Sequence, residues 1–268
     1  MAFPPPARIV IRGGGEMGSG TAWRLFHAGY HVIITETDAP TAIRRWVCFS
    51  EAVYEGQKEV EGVTAVRCAD AAKTDIALRD GFIPVVAAPE LSQVPPYRPD
   101  VIVDATLAKR GGTTPRESAA RVIGLGPGFV AGGDVDCVVE TNRGANLGRC
   151  IWQGSAEPNS GVPGLLGGET RKRVLRAPCD GTIEPLYEIG QTVCIGDIIA
   201  RIGATPVISQ LDGIVRGMMR EGTIVPAGTK IGDVDPRADI AICRRISDKA
   251  LAIAGGVLEA LLSDPPSR

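Results

Sequence analysis

The chain has 268 residues, a formal net charge of −2 and a sequence pI near 5.8. This charge excludes the strongly basic surface by which proteins bind nucleic acids or anionic membranes. The seven cysteines form no C-x-x-C pair and there are only two histidines, so neither a structural zinc site nor a disulfide framework is expected.

The N-terminal stretch MAFPPPARIV lacks the basic and apolar regions of a secretory signal. No apolar run approaches the roughly 18 residues that a membrane span needs. These features predict a cytoplasmic protein whose partners are small molecules or other proteins.

Residues 7–36 predict a strand, a glycine turn, a helix and a second strand. Gly13, Gly15 and Gly18 have the G-x-G-x-x-G spacing, and Glu36 follows about 20 residues later. In dinucleotide-binding units the first glycine forms the tight turn, the second admits the pyrophosphate and the third lets the helix pack closely. The acidic residue accepts a hydrogen bond from a ribose 2′-hydroxyl. These residues predict a Rossmann-like nucleotide site.

Glu16 opens the helix of this unit, where its charge suits the helix dipole but competes with a bound anion. A unit that keeps the fold and binds no dinucleotide, or binds another ligand, is the alternative.

The next stretch, residues 40–55, predicts a helix beginning near Pro40. Arg44 and Arg45 lie near its start, at the expected mouth of the crevice, where they can meet a phosphate or an anionic substrate. A solvated pair of arginines explains the sequence equally well.

An apolar strand at residues 101–106, VIVDAT, ends in polar residues where doubly wound sheets bind their ligands. Asp104 is therefore a candidate ligand contact. The following loop supplies Lys109 and Arg110 for an anion, although a surface turn has the same composition.

Residues 121–153 contain the second glycine-rich constellation. Gly126 and Gly128 indicate backbone held close to a ligand or a neighbour, but no G-K-[ST] follows, so this is not a P-loop. Asp136, Glu140 and Arg143 are candidates for a polar pocket beside the loop, or are charged strand ends.

From Ala177 the sequence repeats at an offset of 32 residues, as in Asp180-Gly181 and Asp212-Gly213. Two such halves resemble the barrel-sandwich hybrid of lipoyl and biotinyl carriers. The hairpin between the halves reads IGATPVIS and has no lysine to acylate, which favours a scaffold or docking surface over a carrier.

These elements predict an α/β fold, a Rossmann-like parallel sheet with an appended all-β lipoyl/biotinyl-like barrel-sandwich hybrid and a C-terminal helix. The expected domains are 1–170, 171–236 and 237–268. The last contains a helix capped by Ser247, and Gly255 and Gly256 in it indicate close packing on the first domain or on a second copy.

The chain resembles the YqeB-like accessory proteins of selenium-dependent molybdenum hydroxylases, whose Rossmann part is related to XdhC-type maturation factors. The resemblance rests on phrases along the chain, among them GGGEMGSGTAWRLFHAGY, VIGLGPGFVAGGDV, VVETNRGANLGR and ISDKALAIAGGVLEALL. It implies a role in maturing a hydroxylase of the xanthine-dehydrogenase type, with the apoprotein or its cofactor-assembly proteins as partners. Asp136 and Ala145 stand where that family has histidines, which puts metal or selenium coordination there in doubt.

Three functions follow from these observations. The first is an accessory protein that binds a nucleotide or a molybdopterin-type dinucleotide. The second is an oxidoreductase that uses NAD(P), for which Glu36 favours NAD over NADP, but the sequence offers no evident acid or base. The third is a non-catalytic assembly scaffold. Independently of these three functions, packing of the C-terminal helix on a second copy would make a homo-oligomer.

Overall fold

The computed structural model describes residues 1–88, 90–109, 114–159, 161 and 164–264. Arg110, singled out above as a possible anion contact, lies outside the described residues. The chain divides into two units. Unit 1 comprises residues 1–40, 48–159 and 246–268, and unit 2 comprises residues 41–47 and 160–245.

Helices are few among the described residues. The α-helices are α1 (Glu16–His27), α2 (Ala52–Glu55), α3 (Ala71–Arg79), α4 (Ile240–Cys243) and α5 (Asp248–Leu262). Short 3₁₀ turns occur at Arg45–Val47, Phe49–Glu51, Leu91–Gln93, Pro95–Tyr97 and Arg116–Ser118. Of the α-helices, α4 belongs to unit 2 and the others belong to unit 1.

Unit 1 is built on a mixed sheet. Its strands are β1 (Arg8–Arg12), β2 (His31–Glu36), β3 (Gln57–Val60), β4 (Val63–Cys68), β5 (Ile83–Ala87), β6 (Val101–Asp104), β7 (Arg121–Leu125), β8 (Val130–Ala131), β9 (Cys137–Val139), β10 (Cys150–Ile151) and β11 (Gly154–Ser155). In the described residues the main sheet has the order β10-β9-β7-β6-β1-β2-β5-β4-β3, and β8 and β11 form a separate pair.

The centre of the main sheet is parallel and buried. Strand β1 pairs in parallel with β2 and with β6, and β3 and β10 add antiparallel edges. Ile9, Val10 and Ile11 are fully buried, as expected for a parallel strand covered on both faces. Helix α1 packs against α5, where a Cβ on Gly20 would lie 2.8 Å from the Ala250 Cβ.

Unit 2 consists of short strands in two sheets. The strands are β12 (Val174–Arg176), β13 (Gly181–Pro185), β14 (Thr192–Val193), β15 (Ile198–Ile202), β16 (Thr205–Ile208), β17 (Gly213–Met218), β18 (Ile224–Val225) and β19 (Lys230–Asp235). They form two four-stranded sheets, ordered β12-β19-β17-β14 and β16-β15-β13-β18. The pairings within both sheets are antiparallel.

The sequence repeat is visible in the pairing of these strands. Strands β13, β14 and β15 of the first copy correspond to β17, β18 and β19 of the second. The first strand of each copy pairs with the second strand of the other, because β13 pairs with β18 and β17 pairs with β14. The two copies thus complete each other's sheets.

The predicted fold class, a Rossmann-like sheet with a lipoyl/biotinyl-like barrel, is wrong. In the main sheet β5 lies beside β2, although β4 precedes it in the chain, so the order is not that of a doubly wound Rossmann sheet. Helices α1 and α3 connect β1 to β2 and β4 to β5, but the described parts of the connections from β5 to β6, β6 to β7 and β7 to β9 contain no α-helix. The repeat forms two separate sheets, with no strand pairing between them in the described residues.

The helix predicted for residues 40–55 is also wrong. The segment contains two 3₁₀ turns and the four-residue helix α2. Tertiary contacts override the helical pattern, because the Ile43 carbonyl accepts a hydrogen bond from the Met218 amide, 2.8 Å away, within unit 2.

Candidate functional site

The glycine turn follows β1 and opens α1. Gly13 has a φ of +95° and its amide donates to the Thr35 carbonyl at 2.8 Å. A Cβ on Gly18 would lie 1.9 Å from the carbonyl oxygen of Gly13. In contrast, a Cβ on Gly15 would meet nothing within 4 Å. Gly13 is therefore required by its backbone conformation and Gly18 by packing, whereas a side chain on Gly15 would face open space.

Gly14, between them, fixes the turn through three hydrogen bonds. Its amide donates to Oε1 of Glu36 at 2.9 Å. Its carbonyl oxygen accepts from the Ser50 amide at 3.0 Å and from the Ser19 hydroxyl at 2.8 Å. The turn is thereby held rigid between the end of β2 and residue 50.

Glu36 lies at the end of β2, where the motif predicts an acid. Its carboxylate already accepts several hydrogen bonds from the protein itself. Oε1 binds the Gly14 amide, and Oε2 accepts from the amide and the hydroxyl of Thr37. A carboxylate can accept about four hydrogen bonds in total. Oε1 therefore retains capacity to accept a hydroxyl from a ligand.

The N-terminus of α1 has no side-chain cap, and Gly15 is its N-cap residue. The first amides of a helix have no partner within the helix and favour anions. Glu16 lies half-buried in this first turn. The first turn of α1 therefore combines amides that favour an anion with an acidic residue, Glu16, whose charge opposes one.

A buried ion pair lies next to the turn. Arg12, the last residue of β1, donates from Nη1 to Oδ2 of Asp104 at 3.0 Å, and Asp104 is fully buried. Thr114 hydrogen-bonds to both residues, and Thr106 donates to Oδ1 from its amide and its hydroxyl. Asp104 was predicted to contact a ligand, whereas the structure surrounds it with partners from the protein.

Ser50 was not identified from the sequence as a site residue. It is fully buried, and its Oγ makes no hydrogen bond to any residue that the structure describes. A Cβ on Gly14 would lie 3.0 Å from the Ser50 amide nitrogen. A buried hydroxyl without a partner is unfavourable by about 1–3 kcal/mol. Only its tertiary position beside the turn distinguishes this serine, so the sequence contained no signal for it.

The second glycine loop packs on the chain that follows β6. A Cβ on Gly128 would lie 2.2 Å from the Ala108 carbonyl oxygen, and Gly126, with a φ of +90°, faces the Thr141 hydroxyl. Lys109, the predicted cation, follows Ala108 and is exposed. Both glycines are therefore explained by close approach to the protein itself.

The acids beside this loop organise the backbone. Asp136 accepts from the Val122 amide and from Nε of Arg116. Glu140 is buried and accepts from the amides of Asn142 and Glu157 at 2.6 and 2.7 Å. Both carboxylates therefore contact protein groups where a polar pocket was predicted.

Two further side chains complete the polar contacts in this region. Arg143 forms a two-pronged pair with Asp248 in the first turn of α5, with both distances at 2.8 Å. The exposed Glu157 accepts hydrogen bonds from the side-chain amides of Asn142 and Asn146, which hold the pKa of that carboxyl below its ordinary value. These contacts tie the loop after β9 to α5 and to residue 157.

Arg44 and Arg45, predicted to lie at the mouth of the nucleotide crevice, both belong to unit 2. Arg44 is buried, and its Nη2 donates to the carbonyl oxygens of Ile242 and Arg245 at 2.8 and 3.0 Å. Arg45 donates from Nε to the Met218 carbonyl at 2.8 Å. Both arginines therefore stabilise backbone carbonyls within unit 2.

The described residues contain no group of three or more histidine, cysteine, aspartate or glutamate side chains placed to hold a metal ion. Cys137 contacts Cys150 across β9 and β10, and the hydrogen bond of the protonated Cys137 with Cys150, together with burial, raises the Cys137 pKa. Cys137 is therefore a thiol, and not a thiolate, at neutral pH.

Sequence comparison gives one close relative. Over 254 residues, 95% of the chain, the sequence is 46% identical to the Escherichia coli (strain K12) protein named "Uncharacterized protein YqeB". This identity supports a YqeB-like family for the chain. The match covers 47% of YqeB, so the chain spans about half the length of that relative. No family model matches the chain.

Solved structures give only distant matches. An aspartoacylase family protein from Mesorhizobium loti is 14% identical with a TM-score of 0.26, and the match covers 85% of this chain and 84% of that one. A succinylglutamate desuccinylase/aspartoacylase from Rhodobacter sphaeroides is 13% identical with a TM-score of 0.27, covering 87% and 85%. At these TM-scores, neither similarity carries an argument about the fold or the function of this chain. Within its described residues, no helix has the length and apolar character to cross a membrane.

Proposed function

We propose that the glycine turn, residues 13–18, holds a ligand that carries a phosphate or pyrophosphate and a ribose. The observation that carries this proposal is the open face of Gly15 at the uncapped start of α1. Gly13 is accounted for by its positive φ and Gly18 by packing, whereas a Cβ on Gly15 would meet no described atom within 4 Å. A ligand backbone or phosphate is the group that such a position admits.

Two neighbouring residues support the same proposal. The Ser50 hydroxyl is buried without a described partner next to Gly14, and a ligand oxygen or a bridging water would satisfy it. Glu36 retains acceptor capacity on Oε1 at the end of β2, where a ribose hydroxyl would donate. The ligands proposed are NAD(P) or a molybdopterin-type dinucleotide, each of which contains a pyrophosphate and ribose.

We further propose that the protein acts as an accessory factor in maturing a selenium-dependent molybdenum hydroxylase. The support is the YqeB-like similarity over 95% of the chain, together with the sequence phrases that resemble this family. In this role the turn would hold a cofactor or nucleotide while the partner is assembled. The partners proposed are the hydroxylase apoprotein or the proteins that assemble its cofactor.

The test of the cellular role is deletion of the gene in its native host. Hydroxylase activity and the molybdenum and selenium content of the purified hydroxylase are then measured. The proposal predicts lost activity and incomplete loading, restored by the wild-type gene and not by a Gly15→Ala gene. A fully active and fully loaded hydroxylase from the deletion strain would exclude the maturation role and leave the ligand site to be tested separately.

A further inference from the structure

Unit 2 contains a groove of about 500 Å³ that lies apart from the glycine turn in sequence and belongs to the unit's own strands. Its walls include all three residues of β12, Val174 to Arg176, and Pro206 to Ile208 of β16. A volume of this size lies within the range of roughly 300–1,000 Å³ that small-molecule sites occupy.

The groove runs between the outer strands of the two sheets. Strand β12 is the first strand of one sheet and β16 is the first strand of the other, so both are edges in the described pairing. Leu175 and Val207 contribute to the buried core and give the groove an apolar floor. Ile208 lines it while 47% exposed, so apolar surface continues to the opening.

The charge at the groove has a single sign. Arg171 and Arg176 line it, both are exposed, and no acidic residue is among its described lining residues. Nη1 of Arg176 donates to the Gly228 carbonyl at 2.8 Å, which orients that guanidinium. By contrast, the intervening Arg173 is buried and paired with Asp233 at 2.6 Å. The two exposed arginines thus frame an apolar slot with positive charge.

We propose that this groove binds a small carboxylate with a short apolar chain. The apolar part would lie along Leu175 and Val207, and the carboxylate would accept hydrogen bonds from Arg171 and Arg176. Guanidinium groups bind carboxylates in a planar, two-pronged geometry, and apolar sites with a few polar groups are typical of small-molecule pockets. The site does not depend on the ligand proposed for the glycine turn.

The test is calorimetric titration of the full chain with octanoate, with octylamine as the matched cation of the same chain length. We expect octanoate to bind with a Kd on the order of 1 mM or tighter, and octylamine not to bind. The double variant Arg171→Gln/Arg176→Gln should weaken octanoate binding by about tenfold or more, because charged hydrogen bonds are lost. The control Lys172→Gln/Arg245→Gln removes the same net charge outside the groove lining and should bind as wild type does.

Circular dichroism and thermal unfolding of both double variants establish that they are folded. Equal octanoate affinity in the two double variants would overturn the proposal, as would absence of octanoate binding throughout the millimolar range. Binding of the acidic peptide Ac-Glu-Val-Glu-Val-NH₂ without binding of octanoate would also overturn it, because the occupant would then be a protein segment. As a second probe, Ile208→Asp should abolish octanoate binding, because it places a like charge at the opening of the groove, and circular dichroism of this variant establishes that it is folded.

Discussion

A methyl group on Gly18 would lie 1.9 Å from the carbonyl oxygen of Gly13, whereas one on Gly15 would meet nothing within 4 Å. Two glycines of the same motif, three residues apart, are thus required for different reasons. Gly18 allows α1 to approach the turn after β1. Gly15 leaves the start of α1 open toward a ligand, and this difference allows folding and binding to be tested separately.

The stability part of this difference is tested by two alanine variants. Gly18→Ala should destabilise the protein by about 3 kcal/mol or more, because the added Cβ meets backbone that cannot rotate away. Gly15→Ala should cost only about 1 kcal/mol, because the φ of −67° suits any residue and only the preference of an N-cap position for glycine over alanine is lost. Urea unfolding measures both. Equal losses in the two variants would contradict the packing described for the turn.

Helix α5 offers a second matched pair of glycines. A Cβ on Gly256 would lie 2.1 Å from the Gly148 carbonyl oxygen, whereas one on Gly255 meets nothing within 4 Å. Gly255→Ala should stabilise the protein by about 0.5–1 kcal/mol through helix propensity. Gly256→Ala should destabilise it by about 1–3 kcal/mol. In thermal unfolding, the Tm values of the two variants should shift in opposite directions from that of the wild type. A shift of both in the same direction would be inconsistent with this contact.

The Arg12–Asp104 pair beneath the glycine turn should respond non-additively to substitution. Arg12→Met leaves the buried Asp104 carboxylate without its cation and should cost about 3–5 kcal/mol. In Arg12→Met/Asp104→Asn no charge is left, while an amide oxygen can still accept from Thr106. The double variant should therefore be more stable than Arg12→Met alone in denaturant titrations. If it is less stable, the pair does not act as a unit.

Asp235 in unit 2 should make stability depend on pH. Burial acts to raise its pKa, but hydrogen bonds from Arg237 and the charges of Arg237 and Arg216 outweigh burial, so the folded-state pKa lies below the ordinary value. The stabilisation is therefore present above the unfolded-state pKa and is lost as pH falls through the folded-state pKa. Arg237→Gln should shift acid unfolding to higher pH and cost about 1 kcal/mol at neutral pH.

The measurement for Asp235 is the acid-unfolding midpoint, with Arg201→Gln as the control because Arg201 lies on β15, in the other sheet of unit 2 from Asp235 on β19. An unchanged midpoint in Arg237→Gln would show that Arg237 does not set the charge state of Asp235.

The sequence predicted local elements well where the pattern was complete within the element. The strands around Ile9–Ile11 and Val32–Ile34, the helix between them and the strand Ile83–Ala87 are all present. The glycine spacing also identified the turn correctly as a close approach of helix and strand. These features depend on residues that are near each other in the chain.

What the sequence did not predict depends on distant partners. Arg12 and Asp104 are separated by 92 positions, and Asp104 was interpreted as a ligand contact because its buried cation was not recognised. Residues 40–55 have a helical pattern, but the Ile43 carbonyl accepts a hydrogen bond from the distant Met218 amide instead of from an amide within a helix. The order of strands in the main sheet likewise follows from pairings that the first strand-helix-strand unit does not determine.

The most direct test of the central claim is the binding of pyrophosphate-containing nucleotides to wild-type protein and to Gly15→Ala by isothermal titration calorimetry. NAD, NADP and a molybdopterin-type dinucleotide are the ligands to compare. We predict that at least one binds wild type and that Gly15→Ala, which remains folded, loses at least about tenfold in affinity. Undiminished binding to Gly15→Ala, or no binding of any of these ligands to wild type, would contradict it.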